Sequence, residues 1–101
     1  MPGAITMVRV YLTESDRLLH QVISRLHDEE SVRGVTVFRG ISGFGQSGEI
    51  HSAGLLDLST DLPVVIEFFD EPGKVEKIVA HLNTIVESGH IVSWQAQLNE
   101  S

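Results

Sequence analysis

The chain has 101 residues, 42% hydrophobic and 21% charged, which suits one soluble domain with a core of its own. Seven lysines and arginines against 14 aspartates and glutamates leave a net charge of −7, and that charge opposes binding to nucleic acid or to anionic membrane surfaces. There is no cysteine, so disulfides, thiolate metal sites and thiol nucleophiles are excluded, in keeping with a reducing cytoplasm.

The opening MPGAITMVRV carries neither the basic segment nor the long apolar run of a secretory signal, and Glu67 interrupts the most apolar stretch. A single cytoplasmic domain over residues 1–101, with no direct membrane insertion, is expected. Ile5 to Leu12 alternates in the manner of a first strand. Thr13, with Asp16 three residues on, has the spacing of a helix-capping box. Leu18, Leu19, Val22, Ile23 and Leu26 then form one apolar stripe, and the helix is expected to stop in Asp28-Glu29-Glu30, before Gly34. Residues 34–41 read as a second strand and residues 62–69 as a third, with Pro63 near its start. Asp70 or Glu71 is placed to cap a second helix with Pro72 in its first turn. Its apolar positions run from Val75 to Val86, with Gly89 as its stop. Ile91 to Leu98 is the last strand, with Val92, Trp94, Ala96 and Leu98 on one face.

The order β-α-β-β-α-β predicts an α+β fold: a ferredoxin-like sandwich, a four-stranded antiparallel sheet with two helices on one face. The third strand is apolar on both sides, Val64, Ile66 and Phe68 against Val65 and Phe69, with Glu67 its only interior charge. Two helices cover one face only. The other face is therefore expected to be buried by further copies of the chain.

Between the second and third strands lies SGFGQSGEIHSAGLLDLSTD, residues 42–61. A connection of about 20 residues is far longer than a hairpin loop and is usually functional. Within it GFGQSG spells G-x-G-x-x-G, a dinucleotide fingerprint, but no helix follows it, and the fingerprint needs one. Its glycines are read as backbone freedom in a turning loop.

Several stretches together resemble the PII-like signalling family, in the branch catalogued as a domain of unknown function. They are YLTESD after the first strand, GVTVFRGISGFG entering the loop, RGISGFGQSGEIHS within it, and LDLSTDLPVVIEFFD leading into the third strand. The resemblance runs from about Val8 to Ala96. It implies a homotrimer with a signalling T-loop at about residues 42–61, and a small effector, typically an adenine nucleotide, held in clefts between subunits. The regulated partner would be a membrane transporter or a metabolic enzyme. Effector contacts are expected at Arg39, Gly40, Gly43, Gly45, His51, Ser59, Asp61 and Gly89. One departure bears on the ligand: the link Glu87-Ser88-Gly89-His90 is short, and no lysine or arginine follows Lys77. A triphosphate would find few cations here, so a less charged ligand is favoured.

No catalytic residue is expected. The run Gly40-Ile41-Ser42-Gly43-Phe44 misses the last glycine of a nucleophile elbow, and the carboxylates are scattered. No cofactor beyond the effector is assigned. Glu49 and His51, two apart in an extended stretch, could begin a metal site, although no ligand cluster accompanies them. That gives the alternative, a trimeric divalent-metal binder resembling the copper-tolerance proteins. Arg39 has the competing reading of a salt bridge to a carboxylate, and Asp61 that of an anchor for the loop base. Glu14 reads as a helix-dipole residue, and Trp94 as core or subunit contact.

Overall fold

The computed structural model describes residues 3–45, 48, 50–52 and 61–99. Strands β1 (Ala4–Thr13), β2 (Gly34–Arg39), β5 (Pro63–Asp70) and β6 (Ile91–Gln97) form one sheet in the order β2-β5-β1-β6. All neighbours in it are antiparallel. Helices α1 (Leu18–Ser24) and α2 (Pro72–Leu82) supply the apolar groups that close one face. The predicted ferredoxin-like sandwich is the observed fold. Two further short strands, β3 (Ser42–Phe44) and β4 (Ile50–Ser52), pair with each other outside that sheet.

The alternation in β1 and β5 decides where the core lies. Val8, Val10 and Leu12 point to the helices together with Ile66 and Phe68, and meet Val22, Leu26, Val75, Ile78 and Leu82 there, with Val64 also buried. Ile66 and Phe68 are wholly buried, which is worth about 1.5–3 kcal/mol for each side chain.

The start of α1 and the end of α2 differ from the sequence expectation, while Glu71 stands at the N-cap of α2 as expected. Thr13 is the last residue of β1, paired opposite Pro63, and so cannot cap. Asp16 does so instead: its Oδ1 accepts the Leu18 N–H at 2.9 Å. Helix α1 continues as a π-helical turn over Arg25–Glu29, where the Glu30 N–H donates to the Arg25 carbonyl at 2.9 Å. The chain leaves it at Ser31, whose φ of 49° takes the left-handed conformation usual after a helix. Helix α2 begins at Pro72 as expected but ends at Leu82, well short of Gly89. Ile85 and Val86 donate back to the Leu82 carbonyl at 3.0 and 2.8 Å, which keeps Val86 in the core without further helix. Gly89, with φ +90°, instead sits in a turn closed by the His90 N–H on the Glu87 carbonyl at 3.3 Å.

Asp70, at the end of β5, is buried among three donors: the Arg33 N–H at 3.2 Å, the Glu71 N–H at 2.8 Å and Lys74 Nζ at 3.0 Å. It ties the start of β2 to the start of α2. Among the described residues no helix is long and apolar enough to cross a membrane.

Candidate functional site

Where β2 ends, β5 begins. The Gly40 N–H donates to the Pro63 carbonyl at 2.7 Å, and a Cβ on Gly40 would stand only 2.8 Å from Pro63 Cγ. No larger residue fits that approach without moving the proline. Gly43 is next against the same ring, its Cβ position 3.3 Å from Pro63 Cγ. The chain then forms a ribbon rather than an open loop: Ser42 pairs with Ser52, Gly43 with His51 and Phe44 with Ile50. The Gly48 N–H donates to the Gly45 carbonyl at 3.0 Å, with Gly48 at φ +75°. Gly43 thus sits within a β-ribbon and Gly48 takes a positive φ beside it, which is the physical use of these two glycines. Phe44 and Ile50, directly opposed, are 75% and 69% exposed.

Both ends of the 42–61 connection are held by one short segment, the Glu14-Ser15 turn after β1. Arg39, the last residue of β2, is ion-paired through Nε to Glu14 Oε1. Asp61 Oδ1 accepts the Ser15 N–H at 2.9 Å and the Ser15 hydroxyl at 2.7 Å. Backbone bonds complete the clamp, with the Glu14 N–H on the Leu62 carbonyl at 2.8 Å. Arg39 and Asp61 therefore meet the chain's own groups first. Glu14 is an ion-pair partner and not a dipole residue. Ser15 carried no expectation, and only its place beside Glu14 in YLTESD could have drawn attention to it.

Across the sheet, the turn holding Gly89 is fixed to β1. The Tyr11 N–H donates to the His90 carbonyl at 2.9 Å, and His90 Nδ1 lies 2.9 Å from the Tyr11 carbonyl oxygen. Gly89 and Arg39 thus share one end of the sheet but stand at its opposite edges. Three strand spacings of about 4.8 Å separate β6 from β2 by about 14 Å. Of the expected contact residues, Arg39, Gly40, Gly43 and Asp61 come together at the β2 edge, Gly45 lies out on the ribbon, and Gly89 lies at the far edge. His51 is placed by its backbone opposite Gly43. The His51 side chain, Ser59 and Glu49 lie outside the described residues. Among the described residues no three metal-ligating side chains gather. A cavity of about 190 Å³ lined by Ile5, Pro72, Gln95 and Gln97 lies at the other end of the sheet, away from this constellation.

The face without helices is aromatic. Tyr11, Phe38, Val92 and Trp94 remain 41–47% exposed. Arg9 and Glu67, direct cross-strand partners, form an ion pair at 2.9 Å in its centre. The hydrogen bond to Glu67 raises the Arg9 pKa above its already high ordinary value, so this cation is permanent. Arg9 escaped sequence reasoning because its partner is 58 residues away.

The fold superposes on CPII from Thiomonas intermedia, solved bound to ADP and bicarbonate, with a TM-score of 0.72 at 16% identity, covering 96% of this chain and 90% of that one. It also matches the divalent ion tolerance protein CutA1 from Ehrlichia chaffeensis, with a TM-score of 0.61 at 10% identity over 96% of this chain and 83% of that one. Those likenesses concern the fold. The sequence pattern of the DUF190 family, described as Uncharacterized ACR, matches residues 5–98, and the chain belongs to this family. A UPF0166 protein of Methanocaldococcus jannaschii is 27% identical over 90 residues, 85% of this chain and 82% of that protein.

Proposed function

We propose that the chain is a PII-like regulator, a homotrimer that takes a small effector in clefts between subunits and signals through residues 42–61 to a partner protein. The observation that carries this reading is the clamp at the loop root. Arg39 and Asp61, one at each end of the connection, are both held by Glu14-Ser15, so a ligand that competes for either changes how the loop is tied down. The effector then shifts a population between tied and released loops.

The separation of Arg39 from the Gly89 turn supports a cleft between copies. Two half-sites at opposite edges of one sheet become one site where the β2 edge of one copy meets the β6 edge of the next. An adenine nucleotide is the leading effector, by likeness to CPII with its ADP and bicarbonate. The scarcity of cations favours a mono- or diphosphate over a triphosphate. Chemistry on the bound molecule is not part of this proposal, and a cytoplasmic transporter-facing or enzyme-facing role is.

Calorimetry with AMP, ADP and ATP, each with and without bicarbonate, tests it alongside limited proteolysis of residues 42–61. Binding of at least one nucleotide with altered cleavage is expected. Absence of binding throughout, with cleavage unchanged, removes the effector role. The likeness to CutA1 favours one other reading, a divalent-metal binder using Glu49 and His51. Equilibrium dialysis with copper and zinc distinguishes the two: a His51→Ala chain that holds metal as well as the parent eliminates that site.

A further inference from the structure

The turn before β6 carries one side chain whose proton is fixed by its surroundings. His90 is bonded twice to Tyr11 of β1: its carbonyl accepts the Tyr11 N–H at 2.9 Å, and its Nδ1 stands 2.9 Å from the Tyr11 carbonyl oxygen. A carbonyl oxygen can only accept, so in the neutral imidazole the ring hydrogen is on Nδ1. Nε2 is then a bare lone pair. The side chain is 43% exposed, and the charge beside Nε2 is Glu87 of the same turn, 90% exposed, whose Oε2 lies 3.8 Å away. Gly89, at φ +90°, shapes the turn that holds both.

Neutral His90 therefore turns an acceptor toward any anion at this turn and repels it. Protonated at Nε2, it becomes a donor with a positive charge. No lysine or arginine follows Lys77, so His90 is the one side chain at the β6 edge that can become a cation. The two edges of the sheet then correspond. Each sets a cationic side chain beside a carboxylate that an anion can displace, Arg39 beside Glu14 and His90 beside Glu87. The difference lies in permanence: arginine stays charged, whereas histidine changes its charge between about pH 5 and 8.

We propose that His90 contacts the anionic group of the effector through Nε2, and that this nitrogen takes a proton from solvent as the anion is held, so that effector binding is coupled to pH. The proposal rests on the regulator reading and adds to it the group that receives the anion at the Gly89 turn and the protonation state it needs. The coupling has one sign. A bound anion favours the imidazolium, so affinity rises as pH falls through the histidine range. From β1 the ring meets only the uncharged Tyr11 carbonyl, so among the described residues Glu87 is the charge that opposes a bound anion.

Calorimetry of the full chain with ADP and with AMP, at about pH 8 and about pH 6, tests this. Two buffers of different ionisation enthalpy count the protons taken up. The terminal phosphate itself titrates near about pH 6, so the parent is compared with His90→Lys, in which the phosphate's share is the same. Between the two conditions the parent is expected to tighten about tenfold relative to His90→Lys, as one charge-assisted hydrogen bond is made. The excess proton uptake of the parent is expected to vanish in His90→Lys and in His90→Gln, and His90→Gln should bind weakly at both values. Glu87→Gln removes the competing carboxylate and is expected to tighten binding a few-fold at the lower pH. Circular dichroism confirms that each variant is folded. Glu87→Gln, changed at an almost wholly exposed side chain, keeps the test valid if the His90 variants are not, and an affinity equal to the parent's at both values then overturns the proposal. Binding with the same pH dependence in the parent and His90→Lys, without excess proton uptake, also overturns it and leaves the regulator reading standing. Absence of ADP and AMP binding at both values ends both.

Discussion

On one side of the sheet Val8, Val10, Ile66 and Phe68 are sealed beneath the helices, and on the other Tyr11, Phe38, Val92 and Trp94 stand nearly half open. The same strands supply both sets, by simple alternation. What separates the faces is the treatment of charge. The buried Asp70 on the helix side is satisfied by donors from three separate positions, Arg33, Glu71 and Lys74, and so belongs to the protomer. The Arg9–Glu67 pair lies instead on the open face, where Arg9 is held by Glu67, by Tyr11 and between two aromatic rings. One face is finished by the chain's own helices and the other is left open.

A matched pair of truncations tests that contrast most severely. Phe68→Ala opens a hole in the finished core and is expected to cost about 3–5 kcal/mol in denaturant unfolding, at any protein concentration. Trp94→Ala on the open face should instead leave the stability at high dilution almost unchanged and lower the melting temperature only where the parent is associated. If Trp94→Ala destabilises equally at all concentrations, the open face is part of the protomer's own core and the contrast is lost.

The charged residues give a smaller effect. Asp70→Ala leaves the Arg33 and Glu71 N–H groups without their acceptor and Lys74 with the Ser31 carbonyl, for an expected cost of about 1–3 kcal/mol. Chemical denaturation measures it, and a loss below the error of the fit would show that water replaces the carboxylate there. Gly40→Val falls in the same range, about 1–3 kcal/mol, because its Cβ must displace Pro63. Unlike Asp70→Ala, it should also change proteolysis of residues 42–61, since Gly40 lies at their root.

Much of the fold is legible in the sequence. Val64 to Phe69, apolar on both sides, point to a sheet with a face left open by two helices, and the long interval before β5 points to a connection longer than a hairpin. The helix ends were less legible, because Thr13 is drawn into the ladder by Pro63 and because Val86 reaches the core through a turn instead of through more helix. The ribbon at Ser42–Phe44 and Ile50–Ser52 was hidden by strands too short to show a period. Arg39 was singled out as a cation with a choice between a ligand and a carboxylate, and its carboxylate is Glu14. Arg9 and Glu67 needed register: two residues far apart in sequence become neighbours only once β1 and β5 are aligned.

The smallest expected effect sits at the loop root. Arg39 is 61% exposed and Glu14 only 23%, so their pair is a surface salt bridge with one sheltered end, worth about 0–1 kcal/mol to folding. Glu14→Gln should therefore leave the melting temperature nearly unchanged. It removes the charge that holds Arg39, while the Ser15–Asp61 bonds still secure the other end of the connection. Proteolysis within residues 42–61 is expected to quicken a few-fold, and an anionic effector that uses Arg39 is expected to bind a few-fold more tightly, since it no longer competes with a carboxylate. A large fall in melting temperature would instead make Glu14 a structural residue of the finished protomer. Unchanged cleavage with unchanged affinity would mean that Arg39 is not what ties the loop, and that the Asp61 end alone does so.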